Sequence, residues 1–181
     1  MSFLAYTLKI DLNHSVPKIW RRVVVSPDTS LEKLHWIIQI SMGWTNSHLH
    51  QFIHGKKSYA PKDLYIENTQ DSADIRLNSI LKHEKDKFYY EYDFGDSWNH
   101  TITLEKIIEN EKGLLIPRCT GGRNNCPPED CGGISGYAAL LNTLTNPEHE
   151  DFEETLEWLG EDFDPYYFDI EEINELFASW N

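Results

Sequence analysis

Two aromatic and β-branched runs, Lys87–Phe94 (KFYYEYDF) and Trp98–Ile108 (WNHTITLEKII), are separated only by Gly95-Asp96-Ser97. Glycine tolerates positive φ, and Asp and Ser bond their own backbone, so the triplet reads as a tight turn and the two runs as a β-hairpin. Residues 3–12 (FLAYTLKIDL) and 18–25 (KIWRRVVV) flank Asn13-His14-Ser15 and read as a second hairpin, with Pro17 where a missing N–H is tolerated. Thr29 and Glu32 have the spacing of a capping box. Leu31, Leu34, Ile38 and Met42 then recur at helical spacing up to Gly43, which predicts an amphipathic helix over 30–42. His48 to His54 reads as a further strand.

The order β-β-α-β-loop-β-β predicts an α+β protein: a β-grasp-like mixed sheet with one crossing helix over 1–112. The Gly-, Pro- and Cys-rich segment 113–133 is expected to be a clasp loop. Residues 134–181 are expected to be an acidic helical part packed on the core as one folding unit. Its helices run from Ser135 to Leu144, from Asn146-Pro147 with Phe152, Leu156 and Leu159 on the apolar face, and from Asp169 with Ile173, Leu176, Phe177 and Trp180.

Charge is the next constraint. Of 16 basic and 30 acidic residues, all the bases and half of the acids lie in 1–123, so that part is close to neutral. Residues 124–181 carry 15 acids and no Lys or Arg. Such a chain repels phosphate backbones, which argues against direct nucleic-acid contact. The acidic part is instead a surface for a basic protein partner, or a set of solvated helix faces. Three cysteines in 181 residues exclude a disulfide-built secreted module. No apolar run approaches the ~20 residues of a membrane span, and the first residues lack a signal-peptide pattern. A cytoplasmic protein is expected. Glycine-rich phosphate loops, dinucleotide fingerprints and a nucleophile elbow are absent from the sequence.

Three constellations can carry chemistry. In the first, alternate strand residues share a face, so His48, His50, Phe52 and His54 point one way. In the second, Asp93, Asp96 and His100 bracket the turn of the central hairpin. If that hairpin lies beside the histidine strand, His48, His50, Asp93, Asp96 and His100 form one candidate catalytic cluster. His48, His50, Asp93 and His100 are then its candidate ligands for a divalent metal. The alternative is structural: a solvated strand face, and an Asp turn above a core Trp98. In the third, Cys119, Cys126 and Cys131, with His149 downstream, are candidates for a structural zinc, although C-x6-C-x4-C is not the paired spacing of zinc ribbons. The alternative there is a rigid clasp stiffened by Pro127-Pro128.

Several motifs, in order along the chain, resemble those of the plasmid pRiA4b ORF-3-like family. They are Ile19-Trp20-Arg21-Arg22-Val23, Leu34-His35, Gly43-Trp44, His48-Leu49-His50-x-Phe52 and Tyr92-Asp93-Phe94-Gly95-Asp96-Ser97-Trp98-x-His100. Two more follow, Cys126-Pro127-Pro128-Glu129-Asp130-Cys131-Gly132-Gly133 and Glu157-Trp158-Leu159-Gly160 to Phe163-Asp164-Pro165. The resemblance runs over essentially the whole chain and implies no catalytic residues. The function expected first is a non-enzymatic binding or adaptor module acting through protein partners and linked to mobile elements. The second is a metal-dependent hydrolase or nuclease-like enzyme using the His/Asp cluster.

Overall fold

The computed structural model describes residues 3–64, 66–110, 113–160 and 162–180. Its elements run β1 (Leu4–Leu12), β2 (Trp20–Val25), α1 (Leu31–Met42), β3 (His50–His54), β4 (Lys57–Ala60), β5 (Thr69–Asp71), α2 (Leu77–Ile80), β6 (Lys87–Tyr92), β7 (Trp98–Glu109), β8 (Arg118–Arg123), α3 (Gly133–Leu144), α4 (Phe152–Leu159) and α5 (Ile170–Trp180). The class is α+β, with one mixed eight-stranded sheet in the order β5-β4-β3-β6-β7-β1-β2-β8. Its neighbours pair antiparallel except β4 and β5, which run parallel.

The aromatic hairpin forms the middle of the sheet, with Tyr92 opposite Trp98 across a bend of residues 93–97. Inward residues alternate along it: Phe88, Tyr90 and Tyr92 on β6, and Trp98, His100, Ile102 and Leu104 on β7, all buried. Helix α1 lays Leu31, Leu34, Ile38 and Met42 on this face and shares one core with it. Burying each such large side chain is worth about 1.5–3 kcal/mol.

Local chemistry moves three boundaries. The α1 cap is Ser30 rather than Thr29: its side chain accepts from Lys33 N–H at 3.1 Å. The helix expected from Asn146 starts at Phe152. Before it the chain makes successive turns, in which His149 N–H bonds Asn146 C=O and Phe152 N–H bonds His149 C=O. The third difference is β8, which lies inside the segment expected to be all loop. Its backbone pairs with the free edge of β2, and Phe168 packs over Gly122, where a Cβ would stand 2.3 Å from the ring.

The acidic part completes the same core. Tyr137 of α3 and Ile173 and Phe177 of α5 are buried in it. Asn174 bonds both backbone groups of Cys119 at 2.9 and 3.0 Å, covering the β8 edge. Among the described residues no helix is long and apolar enough to cross a membrane.

Candidate functional site

Strand β3 pairs antiparallel with β6, His50 opposite Tyr92, and Asp93 N–H extends the ladder to Leu49 C=O at 2.8 Å. The segment entering β3 therefore lies against the bend leaving β6. His48 sits in that segment, one residue short of the strand's neighbour position rather than within it. Asp93 has φ +57°, its Oδ1 accepts from Gly95 N–H at 2.9 Å, and Ser97 N–H bonds its carbonyl. This is an Asx turn at a left-handed position that Asp tolerates.

Here the fold opens a cleft of about 620 Å³, within the range of small-molecule sites. Its walls are the start of α1 (Glu32, His35, Trp36), residues 46–50, then Pro61, Asp63 and Leu64, and the bend at Asp93–Gly95. Among the described residues lining it there is no Lys or Arg, while Glu32, Asp63 and Asp93 are acidic.

The cleft floor is a stacked imidazole pair. His35 and His50 lie parallel, with ring centroids 3.5 Å apart and planes 5° apart. A closed ring of hydrogen bonds fixes His35. Asn46 N–H donates to Gln39 Oε1, and Gln39 Nε2 donates to the Tyr90 hydroxyl. Tyr90 O–H donates to His35 Nδ1, and His35 Nε2–H donates to Asn46 Oδ1. Every polar group in that ring is used, which assigns the neutral Nε2–H form of His35. Burial lowers its pKa to about 4. His50 is 4% exposed, and neither of its ring nitrogens has a hydrogen-bond partner among the described residues. Burial, with His35 against it, lowers its pKa to about 3.

At the rim, His48 stands between two carboxylates. Its Nδ1 is 3.7 Å from Asp93 Oδ2 and its Nε2 is 3.2 Å from Asp130 Oδ1. The second contact lacks hydrogen-bond geometry, so Nε2 has no hydrogen-bond partner among the described residues. Asp93 is 7% exposed and Asp130 sits at the surface. Donor atoms of His48, Asp93 and Asp130 all lie within 4.8 Å of one another. They are the one such group of three or more His, Cys, Asp or Glu among the described residues. One imidazole and two carboxylates suit a borderline or hard divalent ion such as Zn²⁺ or Mn²⁺.

Asp130 arrives on the clasp. Trp44 Nε1–H donates to Pro127 C=O at 2.9 Å, and Glu129 accepts from Thr45 N–H at 3.0 Å and from the Tyr92 hydroxyl. Although burial pushes the Glu129 carboxyl up, these bonds hold it below its usual pKa. Gly132 N–H donates to Asp96 Oδ2 at 3.1 Å, and Gly133, at φ +67°, passes so close that a Cβ would lie 2.4 Å from Asp96 C=O.

The structure thus brings His48, His50 and Asp93 to one cleft and disperses the other sequence candidates. Asp96 holds the clasp backbone. His100 is fully buried below, its Nδ1–H donating to Trp98 C=O at 2.9 Å. His54 ends β3 opposite Lys57 and does not line the cleft. The cysteines do not form a donor group among the described residues. Cys126 lies 3.1 Å from Met42 Sδ and accepts from Arg21 at 3.4 Å, while Cys119 Sγ bonds Gly121 C=O on β8. All three are free thiols that burial holds above their usual pKa, Cys131 at about 12. His149 contacts Asp151 instead.

Sequence reasoning missed Asp130 and His35. Asp130 stood between cysteines that suggested zinc. His35 sat on the apolar stripe of α1, one turn after Leu31, where a buried polar residue signals a partner network.

A mixed-sheet α+β protein with a histidine–carboxylate cleft beside its central hairpin is the class that fold and site define. The chain belongs to the plasmid pRiA4b ORF-3-like family, whose model matches residues 4–172. It is similar to the uncharacterized protein y4hQ of Sinorhizobium fredii, 37% identical over 96% of this chain and 92% of that one. It is also similar to the crystal structure of the protein of unknown function MM3350 from Methanosarcina mazei Go1. There the TM-score is 0.86 with 34% identity, covering 93% of this chain and 97% of that one.

Proposed function

We propose that the chain is a metal-dependent enzyme of the hydrolase type, with a divalent ion held by His48, Asp93 and Asp130 at the cleft rim. The supporting observation is the convergence of these donors from three separate segments beside an unpartnered His48 nitrogen. Three protein donors leave coordination positions for water and substrate, and a bound divalent ion lowers the pKa of its water toward neutrality. Two carboxylates balance the ion's charge. Asp93, fixed by its own turn, is the rigid donor, while Asp130 comes with the clasp.

Calorimetric titration of EDTA-treated protein with Mn²⁺ or Zn²⁺ tests this reading. One ion per chain is expected, with affinity at least about tenfold weaker in Asp93→Asn and in His48→Ala and unchanged in Asp96→Asn. Hydrolysis of ester or amide substrates should require the ion and vanish in Asp93→Asn. Absence of binding, or equal binding by Asp93→Asn, refutes it.

A second reading is the adaptor with a basic protein partner. It is favoured by the exposed aromatics Trp158 and Tyr166 amid the acids of α4 and its exit. Capture of a partner by the full chain that survives Trp158→Ala and Tyr166→Ala together would count against it.

A further inference from the structure

We propose that the cleft takes a small ligand, or a side chain, bearing an ammonium or guanidinium group. The proposal rests on the reading that the cleft is the functional site, and it names the chemistry that the site selects.

Three independent features point to this chemistry. The first is charge. Glu32, Asp63 and Asp93 line the walls without a lining Lys or Arg among the described residues, so the walls favour cations and repel phosphates and carboxylates. The second is His50. It is nine-tenths buried, lines the cleft, and stacks on a ring whose two nitrogens are already committed to Tyr90 and Asn46. A neutral imidazole presents one lone-pair nitrogen, and a buried acceptor left unpaired costs about 1–3 kcal/mol. Both ring nitrogens are closed to solvent as the ring stands, so a ligand N–H satisfies the lone pair when the His50 ring tilts toward the cleft. The third is the aromatic pair at the mouth, Trp36 and Phe94, each partly exposed. An indole face beside carboxylates is a favourable seat for a cation.

The metal donors and the cation seat are separate sets. His48 and Asp93 line the cleft and Asp130 meets them from the clasp, while Glu32, Trp36 and His50 line it without being metal donors.

Calorimetry on the full chain tests this, in EDTA and with Mn²⁺. The probes are agmatine and putrescine as free amines and an acetylated, amidated Ala-Lys-Ala peptide as a side-chain source, with 1-pentanol and glutarate as neutral and anionic controls. Saturable binding of an amine-bearing probe is expected, weakening with added salt. Affinity should fall at least about tenfold in Glu32→Gln/Asp63→Asn and in His50→Phe, which keeps a ring over His35 without the lone pair. It should be unchanged in Glu153→Gln, which removes an exposed α4 carboxylate outside the cleft. The exposed double variant keeps the test valid if His50→Phe fails to fold. Binding of the free amines alone assigns a small molecule; binding of the peptide assigns a basic side chain. No saturable amine binding, equal binding of pentanol or glutarate, or indifference to either variant overturns the proposal. Metal binding without amine binding overturns it while sparing the metal reading, and amine binding without metal binding does the reverse.

Discussion

At the residue scale, the molecule spends its histidines in opposite ways. His35 and His100 are internal, with their polar groups used or sealed under aromatic rings; His48 and His50 face the cleft. Burial lowers the His100 pKa to about 4 from 6.5. A value lower in the folded than in the unfolded state means the unfolded chain binds the extra proton first. The contribution is therefore complete above about pH 6.5 and is lost as pH falls toward about 4, a difference on the order of 3 kcal/mol. Denaturant unfolding across that window should show stability falling with pH in the wild type. In His100→Asn the slope should shrink by about one proton; an unchanged slope would contradict the assignment of His100 as a buried neutral group. The same logic marks the limit of the sequence. Alternation along 48–54 places His50, Phe52 and His54 on one face, yet it cannot show that His48 precedes the strand or that His54, at the strand's other end, lies outside the cleft. Those positions depend on register with β6, a long-range property.

At the element scale, the hairpin and the crossing helix were legible because turn chemistry and helical spacing are local. Gly95-Asp96-Ser97 marks the bend, and Leu31 to Met42 marks α1. Strand β8 was hidden because Arg118–Arg123 has little β-forming character, and its pairing comes from the unfilled edge of β2 and from Asn174. Pro127-Pro128 marks a stiff clasp in the sequence but not its payload, because the meeting of Asp130 with His48 depends on the long-range bond of Trp44 to Pro127. Trp44→Phe should remove that single bond while keeping the aromatic packing. The expected loss of stability is about 1 kcal/mol, read by denaturant melting. Affinity for Mn²⁺ should fall in the same variant, since Asp130 is then held less firmly. Unchanged metal affinity would place the clasp outside the site.

At the scale of the whole molecule, the charge asymmetry is built into one body. The base-free segment 124–181 supplies Tyr137, Ile173 and Phe177 to the core, and Arg21 stacks on Phe168 at 4.9 Å. With a net charge of −14 the chain repels itself, and dissolved salt screens that repulsion. The melting temperature should rise as sodium chloride is added, in a single transition seen alike by tryptophan fluorescence and backbone dichroism. A separate early transition would make the acidic helices an independent unit. All three scales meet at the cleft rim, where the histidine segment, the hairpin bend and the clasp each contribute one donor. A crystal structure of the Mn²⁺-soaked protein, read by anomalous scattering, tests that convergence most directly. The account predicts one ion within bonding distance of a His48 nitrogen and of one oxygen each of Asp93 and Asp130. An ion found at the cysteines instead, or none beside His48, would contradict it.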